Sequence, residues 1–319
     1  MGKVYVTREL PAGGLDCLAE HQVDVNPEDR PLSREELMAK VKEYDAVISL
    51  LSDKIDAEII HAAAGKVKIF ANYAVGYDNI DITAAAKVGI WVTNTPGVLT
   101  EATADIAWAL LLAASRHVVA ADKFTRAGKF KGWHPTLFLG GDFWGATLGI
   151  VGAGRIGQAT ARRAKGFGMK VIYYNRSPRP EFESQEGARR ADLKSLLATS
   201  DYVSLHLPLT PDTRGLLDAK HLELLKPTAV LVNTSRGPVV DEACLASMLA
   251  RGRLAAAGFD VYAEEPRIHP NLLALDNVVL LPHIGSASRQ TRLKMAEMAA
   301  ANVREVLAGR EPFNPVKGI

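Results

Sequence analysis

Cysteine is nearly absent from this chain: Cys17 and Cys244 are the two in 319 residues, with no CxxC spacing. That excludes a disulfide framework and leaves no metal signature, so no metal site is expected. Charge of one sign is also missing. Lys and Arg number 38 against 36 Asp and Glu, a net charge of +2. Nothing there would hold a phosphate backbone, and no nucleic-acid partner is expected. Long apolar runs are lacking too. The longest, residues 106–114, is too short to span a bilayer. The opening Met-Gly-Lys-Val-Tyr-Val has no signal-peptide core, and Val6 stands where a myristoylation motif needs Ser or Thr. The expectation is a cytoplasmic protein with no membrane partner. Solenoid-type repeats and low-complexity segments are absent as well.

What is present is ordinary in bulk and specific in detail. Hydrophobic content of 48% and charged content of 23% fit a globular protein, and the length suggests about two domains at ~150 residues each. The organising stretch is Thr147-Leu-Gly-Ile-Val-Gly-Ala-Gly-Arg-Ile-Gly157. An apolar run, then Gly152, Gly154 and Gly157, then a helix-forming segment, read as strand, tight turn and helix. Gly152 makes the turn, Gly154 lets a pyrophosphate approach the backbone, and Gly157 lets helix and strand pack closely. The helix start offers free N–H groups to phosphates. The following strand ends in Asn175, Arg176 and Ser177, about 20 residues on, where a ribose-reading residue belongs.

Strands and helices alternate along the whole chain. In the first third, strands are expected at 3–6, 22–25, 44–51, 67–71 and 90–93, with helices at 10–20, 33–42, 56–64 and 81–87. Ser33 and Glu36 form a capping box, and Asp56 and Asp81 stand as N-caps. A long helix starts near Thr100, with Ile106, Leu110, Ala113 and Ala114 on its apolar face. Residues 123–145 read as an irregular excursion carrying Phe124, Phe130, Trp133, Phe138, Phe143 and Trp144, and large exposed aromatics of this kind mark an interface. Further strands follow at 189–191, 202–208, 229–233, 255–260 and 278–281, with helices opened by Asp192, Asp218 (to 225) and Asp241, and a last helix at 290–308. The fold class is α/β: two Rossmann-like, doubly wound parallel-sheet domains with a cleft between them.

Ligands meet the carboxyl ends of strands in such sheets. In the first half, two loops occupy that edge, Leu51-Ser-Asp-Lys54 and Val75-Gly-Tyr-Asp-Asn79, where Gly76 permits close approach. In the second half, Arg236, Glu265 and His283 each follow an apolar strand. Together they suit hydride transfer to a 2-keto acid. Arg236 can grip a carboxylate through two parallel charge-assisted hydrogen bonds. His283 can protonate the ketone oxygen, a role worth about 10² to 10⁴ in rate. Glu265 can hold the imidazole's tautomer and favour its protonated form.

The sequence resembles the D-2-hydroxy-acid dehydrogenases, and within them the glyoxylate/hydroxypyruvate reductases, over nearly its whole length. The resemblance is carried by Asn72-Tyr-Ala-Val-Gly-Tyr-Asp-Asn-Ile-Asp81, Val92-Thr-Asn-Thr-Pro-Gly-Val-Leu-Thr100 with Thr103-Ala-Asp105, the Gly152 motif, His206-Leu-Pro-Leu-Thr210, Asn233-Thr-Ser-Arg-Gly-Pro238, Gly258-Phe-Asp-Val-Tyr262, Glu265-Pro266 and Pro282-His-Ile-Gly-Ser286. It implies Arg236, Glu265 and His283 as the catalytic three. It implies a nicotinamide contact at Asp260, and cofactor contacts at Thr103, Arg155, Ile156, Leu207, Pro208, Thr213, Thr234 and Gly285. Leu51, Ser52, Val75, Gly76 and Ser286 fall on positions that cover or bind the substrate. The family's boundary gives a substrate domain of 1–98 plus 288–319, with the C-terminal helix crossing back, and a dinucleotide-binding domain of 99–287. Family members pair through their cofactor domains, so a homodimer is expected through the aromatic excursion.

The leading expectation is a reductase of glyoxylate or hydroxypyruvate, making glycolate or D-glycerate. NADPH is favoured, because the second cofactor strand ends without an acid and Arg176 can pair with a 2′-phosphate; NADH is the other possible cofactor. A D-3-phosphoglycerate or other D-2-hydroxy-acid dehydrogenase is an alternative, weakened because the two substrate loops offer only Lys54 to a phosphate. A corepressor-like protein that senses NAD(H) is an alternative of another class.

Overall fold

The computed structural model describes residues 1–316; the last three positions of the expected substrate domain lie outside them. The chain divides into two compact units, Met1–Leu99 with Ser286–Ile319, and Thr100–Gly285.

The first unit is built on a five-stranded sheet: β1 (Lys3–Val6), β2 (Gln22–Val25), β3 (Ala46–Ser49), β4 (Ile69–Asn72) and β5 (Trp91–Thr93), in the order β2-β1-β3-β4-β5. Every pairing is parallel. β3 and β4 are buried at every position, as strands covered on both faces must be. The covering helices begin where local chemistry says they should. Ser33 accepts from Glu36 N–H while the Glu36 carboxylate accepts from Ser33 N–H, a complete capping box on the helix Arg34–Glu43. Asp56 and Asp81 cap Ala57–Ala63 and Ile82–Lys87, each cap contributing about 1 kcal/mol. The helix Arg289–Leu307 returns to this unit. A Cβ at Gly14 would meet Ala296 Cβ at 2.3 Å, so only glycine fits there. The Tyr73 hydroxyl donates to Arg292 O at 2.7 Å.

One expected helix does not form. Residues 10–20 contain only a short 3₁₀ turn, Asp16–Leu18. Pro11 precedes Gly13, which takes φ +86°, and Gly14 is committed to the contact with Ala296. A left-handed residue inside the window ends any helix there.

The second unit carries a seven-stranded parallel sheet: β6 (Thr147–Val151), β7 (Lys170–Tyr174), β8 (Arg189–Arg190), β9 (Tyr202–Leu205), β10 (Val230–Asn233), β11 (Ala256–Phe259) and β12 (Val278–Leu280). The order is β12-β11-β10-β9-β6-β7-β8, so the winding reverses between β6 and β9. The helix Thr100–Ser115 packs across the sheet, with Leu110 seated over Gly258, where a Cβ would come within 2.9 Å of it. Its buried face is broader than the sequence pattern suggests. Ala104, Ala107, Trp108, Leu110, Leu111 and Ala114 are buried, while Ile106 and Ala113 are only half-buried. Leu110 and Leu111 are each worth roughly 1.5–3 kcal/mol of burial.

The segment after that helix is partly regular. Val118–Arg126 is a helix, and residues 127–146 have no regular structure. The aromatics divide. Phe143 is core, stacked on Tyr202 with ring centroids 4.4 Å apart. Phe130, Trp133 and Trp144 stand out at 57%, 85% and 83% exposure, with Leu139 beside them in sequence at 68%. The helix expected from Asp218 to 225 shortens to Ala219–Leu222, because Pro227 closes the segment two residues after Leu225. No single helix among the described residues is long and apolar enough to cross a membrane.

Candidate active site

The glycine turn after β6 separates into three different geometries. Gly152 sits at φ +100°, with the His206 carbonyl oxygen 2.5 Å from where a Cβ would be. Gly157 would drive a Cβ to 2.1 Å from the Gly152 carbonyl oxygen. Gly154, the N-cap of the helix Arg155–Ala164, faces open space: nothing lies within 4 Å of its missing Cβ. Two glycines are therefore required by the protein's own packing, and the third leaves an approach free beside a helix N-terminus. That is the cradle an anionic pyrophosphate needs. Arg155 and Ile156 form the first turn of that helix.

After β7, the Asn175 amide is used within the protein. Its Oδ1 accepts from Ala153 N–H at 3.2 Å, and its Nδ2 donates to Ser177 O at 2.9 Å. Asn175 thus ties the glycine turn to the 175–177 loop, a bracing role beyond the phosphate contact expected of it. Arg176 and Ser177 are exposed. Arg190, on β8, donates to the carbonyls of Asn175 and Arg176 at 3.3 and 3.2 Å. It brings a second guanidinium to this corner, and sequence reasoning missed it. The signal is the register of β7 on β8, where Tyr173 pairs with Arg190.

After β9, His206 hydrogen-bonds Ser204 Oγ through Nε2 at 2.9 Å. Its Nδ1 is buried without a partner among the described residues, and burial pushes the imidazole down to about 3, so it is neutral. Leu207 lies against Gly152. The Thr213 hydroxyl donates to Pro208 O at 2.6 Å and accepts from Thr210 N–H at 2.8 Å, fixing the 208–213 loop. Past β10, Thr234 Oγ1 is buried and has no hydrogen-bond partner among the described residues. An orphaned hydroxyl on the sheet edge that carries the glycine turn is what a polar ligand would satisfy. The glycine cradle and Thr234 together fit a dinucleotide.

The three residues singled out for chemistry stand at the ends of β10, β11 and β12. Asn233 Oδ1 accepts from Ser235 N–H and Oγ at 2.9 and 2.7 Å, and its Nδ2 donates to Arg236 O at 2.9 Å, shaping the turn that presents Arg236. Arg236 Nη1 also donates to Ser235 O at 2.8 Å. Glu265 Oε2 lies 2.8 Å from His283 Nδ1, and Glu265 Oε1 accepts from Tyr262 N–H at 3.0 Å. Burial alone would push the Glu265 carboxyl up. The hydrogen bond and charge of His283, with Tyr262 N–H and the Arg236 charge, hold it below its ordinary value. An ionised Glu265 can only accept, so His283 Nδ1 carries hydrogen and Nε2 is left for proton transfer.

His283 itself sits at φ 57°, an uncommon conformation outside glycine. Asp260 holds it there. Its two carboxylate oxygens accept from Ile284 N–H at 2.7 Å and Gly285 N–H at 2.6 Å, and Thr103 packs beside Gly285. Burial raises the Asp260 carboxyl, against those two N–H groups and the His283 charge. Asp260 thus fixes the histidine turn, and each of its carboxylate oxygens keeps a lone pair beyond the N–H it accepts.

The loops expected at the substrate lie in the first unit, at the carboxyl ends of β3 and β4. Buried Asp53 accepts from Leu50 N–H at 2.7 Å and from the Thr7 hydroxyl at 2.5 Å, and burial pushes its carboxyl up. Asn79 Nδ2 donates to Leu50 O and Asp53 O at 3.0 and 2.9 Å, and Asn72 Nδ2 donates to Gly76 O at 2.9 Å. Val75 O accepts from Asn94 Nδ2 at 2.8 Å. Leu51, Ser52, Val75 and Gly76 are therefore carried on loops fixed by amides. Ser286 opens the chain's return to this unit.

Residues 108–285 match the model of the D-isomer specific 2-hydroxyacid dehydrogenase family, NAD binding domain. A glyoxylate reductase of Thermococcus onnurineus is 51% identical over 315 residues, covering 97% of this chain and 94% of that one. A crystal structure of a Thermus thermophilus protein superposes with a TM-score of 0.93 at 48% identity, covering 99% of this chain and all of that one. An NADPH-dependent glyoxylate/hydroxypyruvate reductase from Sinorhizobium meliloti, solved with NADP and malonate, superposes with a TM-score of 0.86 at 33% identity, over 99% of this chain and 96% of the other.

Proposed function

The chain belongs to the D-isomer specific 2-hydroxyacid dehydrogenase family, and from that premise we propose how its own residues carry the reaction. It is an oxidoreductase that reduces a 2-keto acid with NAD(P)H, of the glyoxylate reductase type. When bound, the nicotinamide supplies the hydride. The glycine turn, the first turn of Arg155–Ala164 and Thr234 hold the dinucleotide. Arg236 binds and orients the substrate carboxylate through its fork. His283 donates the proton from Nε2 to the keto oxygen, and Glu265 keeps Nδ1 as the hydrogen-bonded nitrogen. In the same reading Leu51, Ser52, Val75, Gly76 and Ser286 are the substrate contacts contributed by the first unit. The observation that carries this reading is the 2.8 Å contact from Glu265 to His283, at the sheet edge that also presents Arg236 and the open approach at Gly154.

In the finer reading, glyoxylate and hydroxypyruvate are the substrates and NADPH is the preferred reductant. The absence of an acid at 175–177 and the presence of Arg176 and Arg190 support the 2′-phosphate. The exposed Phe130, Trp133, Leu139 and Trp144 support a homodimer through the second unit. A cytoplasmic location is the natural setting for two free cysteines. The test is a kinetic panel of glyoxylate, hydroxypyruvate and pyruvate, each with NADPH and with NADH. A higher kcat/KM for the first two with NADPH is expected; no turnover of any 2-keto acid would refute the reading.

A further inference from the structure

Glu242 is one of the buried carboxylates that the reaction as described leaves unused. Glu242 is 7% exposed and opens the helix Glu242–Ala250, directly after its N-cap Asp241. Buried carboxylates are rare unless something holds them. Here Glu242 Oε1 accepts from Ala263 N–H at 2.6 Å. Ala263 lies in the turn between β11 and Glu265, and Tyr262, the residue before it, donates its own N–H to Glu265 Oε1. The same turn lies directly against Gly237, whose missing Cβ would fall 1.9 Å from Tyr262 C and 2.3 Å from Ala263 N. The Tyr262 hydroxyl continues the chain of contacts to Leu281 O at 2.8 Å, two residues before His283. One short turn thus touches the segments carrying Arg236, Glu265 and His283, and Glu242 anchors it to the neighbouring helix.

We propose that Glu242 is a positioning residue for the reduction: it fixes the 262–265 turn so that the Glu265 carboxylate points at His283. The proposal rests on Glu265 and His283 being the catalytic pair. Glu242 touches neither of them. It acts through the backbone of Ala263, and the property it needs is reach, since a charge-assisted bond of 2.6 Å tolerates little displacement. The charged and titratable groups around it are His269, Glu264 and Glu265, and those around Glu265 are His283, Arg236 and Asp260.

Two variants separate reach from charge. Glu242→Asp keeps the charge and the helix-opening acid but withdraws the oxygen by one methylene. Glu242→Gln keeps an acceptor oxygen at full length and loses the charge. With the anchor gone, a displacement near ~1 Å at the pair should cost about 10²-fold in kcat with a much smaller change in KM. The expected result is loss in Glu242→Asp and near wild-type kcat in Glu242→Gln. The second readout is the Glu265 carboxyl titration, followed by ¹³C NMR in the free protein. It should move up in Glu242→Asp, as the His283 contact that holds it down loosens, and stay in place in Glu242→Gln. The reverse ranking, or an Asp variant with wild-type kcat and an unmoved Glu265 titration, would overturn the proposal. Should Glu242→Asp not fold, Glu242→Ala takes its place beside Glu242→Gln: loss of kcat with a raised Glu265 titration in the Ala variant alone supports the anchor, and wild-type values in both overturn it. If the wild type turns over no 2-keto acid, the catalytic reading fails while the titration still tests the anchor.

Discussion

Gly154→Ala and Gly157→Ala add the same methyl group three residues apart, and the structure gives them different fates. At Gly157 the new Cβ would lie 2.1 Å from the Gly152 carbonyl oxygen and 3.0 Å from Ile150 Cγ2. Restoring ordinary contact requires the helix to move by about 1.3 Å, and overpacking of this kind costs roughly 1–3 kcal/mol. Better helix propensity returns up to ~1 kcal/mol. At about 2–4 °C per kcal/mol, the melting temperature should fall by several degrees. The helix N-terminus moves away from the turn, so dinucleotide binding weakens as well. At Gly154 the methyl meets nothing, and the backbone at φ −79° suits alanine. The loss is that of a poorer N-cap, under about 1 kcal/mol. Yet the methyl occupies the approach assigned to the pyrophosphate, and binding should weaken by about 10²-fold or more, some ~2.7 kcal/mol. Thermal melting of the apo proteins and fluorescence titration with NADPH read the two effects separately. A Gly154→Ala protein that binds NADPH as tightly as wild type would refute the placement of the cofactor.

Four further outcomes follow from the same geometry. Arg236→Lys should lose nearly as much kcat/KM as Arg236→Ala, because an ammonium cannot make the paired contact; near-normal kcat/KM in the Lys variant would show that Arg236 has another role. Glu265→Gln removes the carboxylate that accepts from His283 Nδ1, so kcat for reduction should fall with KM little changed, and an unchanged kcat would argue against the pairing seen at 2.8 Å. Asn175→Asp with Arg176→Ala should shift preference from NADPH to NADH mainly through KM, and equal or better kcat/KM with NADH in the wild type would already exclude that preference. His206 is held neutral by burial, down to about 3, so below its ordinary value near 6.5 the unfolded chain binds the proton that the folded one refuses. Stability is complete above about pH 6.5 and falls with pH, by about 2 kcal/mol at about pH 5 relative to a His206→Asn protein; parallel pH curves for the two proteins would contradict it.

Much of the fold is written in local signals. Ser33, Asp56, Asp81, Asp192, Asp218 and Asp241 each cap the helix that follows, and each cap is legible because it is a contact three residues long. The missing helix at 10–20 is instructive in the other direction: Gly13 takes a left-handed φ and Gly14 serves a contact with Ala296, which sequence proximity cannot reveal. The candidate site divides in the same way. Arg236, Glu265 and His283 stand out because each is polar after an apolar strand. Asn233, Tyr262, Glu242 and Arg190 do not, because their roles exist only once β10 lies on β11 and β7 on β8. Asp260 was recognisable by its motif, but that its carboxylate also braces Ile284 and Gly285 depends on a pairing 24 and 25 residues away.

The discontinuity of the first unit sets an order of events during synthesis. β1 to β5 are complete by Thr93, yet the helix Arg289–Leu307 that packs against Gly14 and Tyr73 is made roughly two hundred residues later. At about 5–20 residues per second, the early segment waits some ~10–40 s for its last layer. Thr100–Gly285, in contrast, is contiguous and can close its own core as soon as it leaves the ribosome. The unit that begins the chain is therefore the last to be finished, and its uncovered face is the surface a chaperone would meet on a stalled or truncated nascent chain.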